Sequence, residues 1–240
     1  MIYKIYPLLV FLLLSFGKDS KNTPELKTAT TRSIAKVEKK LAVDAKIENI
    51  YYSLNSNNFK LPELKSFSEA LKGFYLLKER GIIQKNILTL VDFSLSSNTK
   101  RLWVIDLDSS SILIHSLVAH GRNTGDEFAE SFSNSAESYK SSLGFYVTAE
   151  VYNGKHGKSL RLDGVEKGIN DNARNRAVVV HGANYVSDSF IKNNKRLGRS
   201  LGCPAVPVAI TNELIGLIKD KSCLFIYYPS TSYKHSSKIV

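Results

Sequence analysis

Cysteine is scarce in this chain: two residues in 240, Cys203 and Cys223. That count excludes four-cysteine zinc sites and leaves at most one disulfide. A mixed His/Cys zinc site finds no recognisable ligand spacing. Long apolar runs are also missing. The longest, Ile5–Leu14, is too short for an ordinary membrane span. Acidic residues are in deficit, 22 against 33 basic, for a formal charge of +11. No basic run interleaved with aromatics suggests a nucleic-acid groove. "GKHGKS" lacks the spacing of a phosphate loop and reads as a turn around His156. No internal repeat is visible.

What is present is ordinary for a folded core: 43% hydrophobic and 10% aromatic residues. The basic excess favours anionic polymers such as acidic lipid or wall material, or else is a solvated surface. "MIYKIYPLLVFLLLSFGKDS" has a secretory layout: Lys4, a short apolar region, and small residues Ser15 and Gly17 before a cut after Gly17. Residues 1–17 therefore read as an export signal, with an uncleaved anchor as the alternative. No cysteine lies near the cut to carry a lipid.

Residues 18–60 read as a polar linker containing a helix, with Ile34, Val37, Leu41 and Ala45 at helical spacing. Residues 61–86 form a helical segment. Ser66 and Glu69 have capping-box spacing. Phe67, Ala70, Leu71, Phe74 and Leu77 make one core-facing stripe, and Gly81 stops the helix. From residue 87 the period changes to short β-like runs: "ILTLVDF", "RLWVIDL", "SILIHSLVAH", "GFYVTAEVY", "AVVVHGA" and "CLFIYYP". Asp108-Ser109-Ser110 suits a turn between antiparallel strands. The fold class is mainly β (α+β), predominantly antiparallel, with an N-terminal helical extension. Pro207 opens a helix to Asp220 with Leu214, Ile215, Leu217 and Ile218 inward. Residues 230–240, with His235, read as a polar tail.

Cys223 lies in an apolar β-like run, whereas Cys203 lies in a Gly/Pro-bounded loop, so their settings argue against a bridge. In that loop Cys203 can be packing, a ligand or a nucleophile. A thiol attacks as the thiolate, so a nucleophile needs a base. His181 ends the run "AVVV", 22 residues before Cys203, with Gly182 removing bulk behind it. A strand-end histidine without a partner is the alternative. Backbone oxyanion donors must lie at or before Cys203, such as the amides of Cys203 and Gly202, because Pro204 has no N–H. Arg199 can neutralise a substrate carboxylate, or be a surface charge, and Ser200 can orient His181. His120, Tyr146 and Arg161 are further pocket candidates, and His115 reads as packed within a strand.

"HGANYVS" followed by "GRSLGCPAVP" resembles the active-site block of the L,D-transpeptidase catalytic-domain family (YkuD-type, exported branch): His-Gly, a loop, then Ser-x-Gly-Cys. The similarity extends upstream through "VDFSLSSNTKRLWVIDL", "AHGRNTG", "FSNSAESYKSSLGFY" and "GKHGKSLRLDG", over about residues 61–229. The resemblance implies a β-sandwich-like catalytic domain at 87–229, with Cys203 as nucleophile, His181 as base, and Ser200 and Gly202 as matching loop positions. It implies acyl transfer between peptidoglycan stem peptides through a thioester, or hydrolysis when water is the acceptor, with no metal or other cofactor; another cell-wall cysteine peptidase, or a wall-binding protein that kept the fold and lost turnover, is the alternative. It places the protein in the cell envelope or periplasm. Pro204 and Ala205 depart from the apolar-then-Arg/Asn pair of many members, and Arg199 precedes the serine instead.

Overall fold

A computed structural model describes Glu38 and residues 41–240. The expected export signal and most of the polar linker lie outside the described residues. Contacts divide the chain at residue 42, and the unit considered below is Val43–Val240. Helix α1 covers residues 43–53 of it, with Ile47 buried and Ile50 and Tyr51 packed on the core. Leu41, which shares the expected apolar spacing, is exposed, and Ile34 and Val37 lie outside the described residues. Among the described residues no helix is long and apolar enough to cross a membrane.

Helix α2, Leu64–Glu79, buries the expected stripe of Phe67, Ala70, Leu71, Phe74 and Leu77. Its start differs from the capping-box expectation. The N-cap is Glu63 without a side-chain cap, and Ser66, already inside the helix, donates to the Glu63 carbonyl at 3.0 Å. Gly81 ends the helix at φ +67°, a left-handed conformation that costs a Cβ-bearing residue more than glycine.

Eight strands form one sheet: β1 Ile87–Asp92, β2 Leu102–Asp106, β3 Ser111–Ser116, β4 Gly144–Gly154, β5 Gly157–Gly164, β6 Val179–Gly182, β7 Ala205–Val206 and β8 Cys223–Tyr227. Their spatial order is β3-β2-β1-β8-β4-β5-β6-β7. Most neighbours are antiparallel, but β1–β8 and β6–β7 are parallel. The two ends of the sheet meet where Ala119 bridges Ala205, so it curls into a nearly closed barrel. "GKSLRLDG" becomes β5, which the β-like runs did not include; its alternation is broken by glycines and charges, and pairing along β4 supplies the order. The turn at Asp108-Ser109-Ser110 joins β2 to β3 as its composition suggests, with Ser110 at φ +50°.

The central core lies between α2 and the β1–β8–β4 strands. Phe145 and Phe225 stack at 4.1 Å between centroids. Helix α3, Asp188–Asn194, is capped by Ser187, whose hydroxyl accepts from the Phe190 amide. Helix α4, Val208–Ile218, takes Pro207 as its N-cap rather than its first residue, and buries Leu214, Ile215 and Ile218. Leu217 is only half-buried. The expected polar tail is docked instead. In α5, Thr231–Ser236, Tyr233 is buried and donates to Glu166 Oε1 at 2.9 Å. That carboxylate oxygen also accepts from the Phe145 amide at 2.8 Å, so the tail is tied to the start of β4.

Gly73 sits in mid-helix under the Phe145 ring, and a Cβ there would lie 2.0 Å from Phe145 Cζ. Alanine is normally favoured over glycine in a helix by about 1 kcal/mol. Here the stacking of Phe225 on the Phe145 ring limits how far that ring can shift. Gly73→Ala is expected to lower stability by about 1–3 kcal/mol through overpacking, measured by urea unfolding. A gain in stability would show that the ring yields freely.

Candidate functional site

The parallel pairing of β6 with β7 places His181 opposite Ala205, two residues after Cys203. On its other flank the 200–205 loop is pinned to the segment after β3. The Ser200 amide donates to the His120 carbonyl at 3.0 Å, the Arg122 amide to the Ser200 carbonyl at 2.8 Å, and the Ala119 amide to the Ala205 carbonyl at 2.8 Å. The result is one cleft of about 430 Å³. Cys203, His181, Ser200 and Arg199 line it, with Tyr152, Lys155 and His156 from the β4–β5 hairpin, and Arg176 and Tyr185.

Within the loop, Ser200 Oγ donates to the Cys203 carbonyl at 2.6 Å and accepts the Gly202 amide at 3.0 Å. Its hydroxyl and carbonyl are therefore both engaged away from His181, and the expected role of orienting that imidazole is not the one the geometry supports. Ser200 instead shapes the turn. Gly202 is at φ +127°, and a Cβ there would lie 2.9 Å from the Lys140 carbonyl oxygen, so the turn requires glycine. The Gly202 N–H, expected as an oxyanion donor, is taken by Ser200. Among the described residues the Cys203 N–H donates to no protein acceptor.

The Cys203 sulfur lies 3.5 Å from the Val179 amide nitrogen, which donates to it, and 3.7 Å from the Ala177 carbonyl. Burial raises its thiol pKa, opposed first by the Val179 N–H and then by the charges of Arg176 and Lys155. His181 Nδ1 lies 3.0 Å from the Gly182 carbonyl oxygen. A carbonyl only accepts, so Nδ1 carries the hydrogen and Nε2 keeps the lone pair. Burial also lowers the His181 pKa, as do His156 and Lys155, while the Gly182 hydrogen bond opposes them. The resting pair is thus neutral thiol and neutral imidazole, not a preformed ion pair. The thiol hydrogen points to the Ala177 carbonyl, and the sulfur and the imidazole line the same cleft.

Other expected pocket residues lie elsewhere. His120 is buried behind the loop: Arg101 Nη2 donates to its Nδ1 at 2.8 Å, and its Nε2–H faces the Gly125 carbonyl at 3.2 Å. Burial and the Arg101 charge push its pKa down to about 4, so it stays neutral as a structural link. Tyr146 is wholly buried and donates to the Ser142 carbonyl at 2.9 Å. Arg161 pairs with Glu150 at 3.1 Å and covers the Tyr152 ring at 4.6 Å, supporting the cleft wall without lining it. Gly182 faces helix α4, where a Cβ would meet Thr211 Oγ1 at 2.5 Å. Arg199 lines the cleft, but its Nη1 is bound to Asp126 at 2.6 Å and to the Arg122 and Gly125 carbonyls. Its charge is already paired rather than free for a substrate carboxylate.

Four cleft residues escaped sequence reading: His156, Lys155, Arg176 and Tyr185. His156 does lie in a turn, but the hairpin folds over the cleft and stacks its ring on His181 at 4.4 Å between centroids. Lys155 is carried with it. Arg176 precedes β6 with no motif around it. Tyr185 lies within "HGANYVS", where the sequence marks it with no distinguishing spacing; burial and the nearby Cys203 sulfur push its pKa up to about 12. His115, as expected, is packed, stacked on Trp103 at 4.8 Å. Cys223 is buried in β8, and both cysteines are free thiols. Among the described residues no three His, Cys, Asp or Glu side chains converge as a metal-binding set.

The neutral resting pair makes a testable statement. Iodoacetamide alkylation of Cys203 is expected to rise with pH through a value above that of an ordinary thiol, because the thiolate is the reactive form and burial delays its appearance. A rate plateau already reached below pH 6 would indicate a thiolate–imidazolium pair and overturn this reading.

No curated protein matches the chain. Among solved structures, an L,D-transpeptidase from Mycobacterium smegmatis is similar over 60% of this chain and 59% of its own, at 10% identity and TM-score 0.37. The helical cell shape determining protein Pgp2 from Campylobacter jejuni is similar over 68% of this chain and 57% of its own, at 14% identity and TM-score 0.38. An L,D-transpeptidase from Xylanimonas cellulosilytica is similar over 78% and 92%, at 11% identity and TM-score 0.35. The chain thus spans about three-fifths of the first of these relatives. A family model described as the L,D-transpeptidase catalytic domain matches residues 55–227, well over half of the sequence and all of the cleft. The chain belongs to the L,D-transpeptidase catalytic-domain family.

Proposed function

We propose that this protein is an exported peptidoglycan L,D-transpeptidase that works through a thioester on Cys203. The observation that carries the reading is the shared cleft: a thiol and an imidazole with its Nδ1–H held by the Gly182 carbonyl, on walls set by two strand pairings. The sulfur attacks the carbonyl carbon of a stem-peptide bond between an L-centre and a D-residue. The thiol proton passes to His181 Nε2, the C–N bond breaks, and the proton leaves with the departing D-residue amine. The Cys203 N–H, without a protein acceptor among the described residues, is a loop donor for the developing oxyanion. A second stem's amine then attacks the thioester carbonyl, giving up a proton to Nε2, and the released thiolate regains it. The product is a cross-link. Water in place of that amine gives an L,D-carboxypeptidase.

The charge of +11 suits an anionic wall, and the secretory layout of residues 1–17 suits delivery to it. The neutral resting state fits a nucleophile formed only when a substrate carbonyl is in place.

Purified protein mixed with stem tetrapeptide, with products weighed by mass spectrometry, tests the assignment. A cross-linked dimer is the expected product. Cys203→Ala should fold normally and lose turnover by on the order of a thousandfold or more. His181→Ala should keep the thiol but acylate slowly. Shortened peptide without dimer would make it a hydrolase, and full activity in Cys203→Ala would remove the nucleophile.

A further inference from the structure

Arg176 has no carboxylate partner among the described ion pairs, although it is half-buried. The contrast with its neighbour is instructive: Arg174, two residues away, holds both Glu150 and Asp163. The four acceptors of Arg176 are neutral. Nη1 donates to the Ser133 carbonyl at 2.8 Å and to Ser142 Oγ at 2.6 Å, and Nη2 to Ser138 Oγ at 3.2 Å and to the Lys140 carbonyl at 2.6 Å. These bonds fix the guanidinium in place without cancelling its charge. A desolvated cation with only neutral acceptors raises the stability of any anion formed beside it.

The anion it faces is on the cleft side. Nη2 lies 3.4 Å from where a Gly202 Cβ would stand, directly before Cys203, and Arg176 and Cys203 line the same cleft. The Lys140 carbonyl that Nη2 holds is itself packed against Gly202. The other groups around the sulfur are His181 from β6, Lys155 and His156 from the β4–β5 hairpin, Tyr185, and Arg199, already paired with Asp126. Arg176 also interacts with Tyr146, a phenol held neutral by burial. No carboxylate lines the cleft. The Cys203 thiolate is therefore the anion that this guanidinium is placed to favour.

We propose that Arg176 is the electrostatic partner of Cys203: a guanidinium anchored by the 133–142 segment that stabilises the thiolate as the proton leaves for His181. It takes no proton and forms no bond. Its part is to offset the burial that holds the thiol protonated, a deficit that His181, neutral at rest, does not remove. The inference concerns the reactivity of the thiol and does not depend on which substrate the cleft takes.

The test is the pH profile of iodoacetamide alkylation of Cys203 in the full chain, with Cys223 excluded from reaction by its burial and alkylated sites verified by peptide mass. Arg176→Gln, which removes the charge, is expected to move the apparent thiol pKa up by about one unit and slow alkylation near pH 8 roughly tenfold. Arg176→Lys, which keeps the charge and loses the planar fork, is expected to restore most of that shift. A profile for Arg176→Gln superimposed on that of the unaltered protein overturns the proposal. So does an Arg176→Lys profile displaced upward by about one unit from that of the unaltered protein, because the clamp rather than the charge would then matter; this second outcome decides the question even if Arg176→Gln does not fold. Stem-peptide turnover is not part of the readout, so failure of the transpeptidase assignment leaves this result interpretable.

Discussion

The parallel pairing of β6 with the two-residue strand β7 is what makes a site out of residues 22 apart in sequence. It sets His181 against Ala205, and the chain between Ser200 and Ala205 has no freedom to carry Cys203 elsewhere. The opposite flank is closed by the bridges Ala119–Ala205 and Gly121–Ser200, which join the far end of the sheet to the same loop. Closure of the barrel and assembly of the cleft are thus one event. A strand of only two residues contributes little by itself. It is held because both of its edges are paired and because Gly182 lets α4 approach β6 closely.

Within that frame, two opposed physical effects set the reactivity of the thiol. Burial pushes Cys203 up and His181 down, so each favours its uncharged form. Countering this at the sulfur are one backbone N–H and the positive charges of Arg176 and Lys155. Countering it at the imidazole is the Gly182 carbonyl. His156 acts the other way on His181, because two stacked imidazoles resist a second positive charge. Burial is the largest cause at both groups, and the neutral pair follows. Under the proposed mechanism, the reactive anion forms through a proton transfer coupled to attack, and the surrounding cations lower the energy of that moment.

The elements legible in the sequence were those whose signal is local. The α2 stripe, its glycine stop, the β-like runs and the hairpin at Asp108–Ser110 all depend on period or turn chemistry within a few residues. Cys203 and His181 were legible as a pair because each ends in a glycine-bounded segment with distinctive neighbours. What was not legible depends on tertiary pairing. β5 and β7 owe their extended form to partners. His156 and Arg176 reach the cleft through a hairpin and a loop whose directions no local pattern states. The misplaced candidates fail for the same reason: His120 ends a β-like run as His181 does, but the polypeptide turns its ring toward Arg101 and the core.

The Ser-x-Gly-Cys block, read from sequence as a set of chemical groups, acts in the fold chiefly as a turn. The Ser200 hydroxyl uses its one hydrogen on the Cys203 carbonyl and receives the Gly202 amide. Those two bonds close the loop on itself, and they need a small side chain with both a donor and an acceptor. Gly202 answers a separate constraint, a positive φ against the Lys140 carbonyl. With the Gly202 N–H engaged and Pro204 lacking one, the Cys203 N–H is left without a protein acceptor among the described residues. Serine and glycine are thus fixed by the geometry that presents one sulfur and one N–H together. Their replacement would disturb reactivity by moving Cys203 rather than by removing a chemical participant.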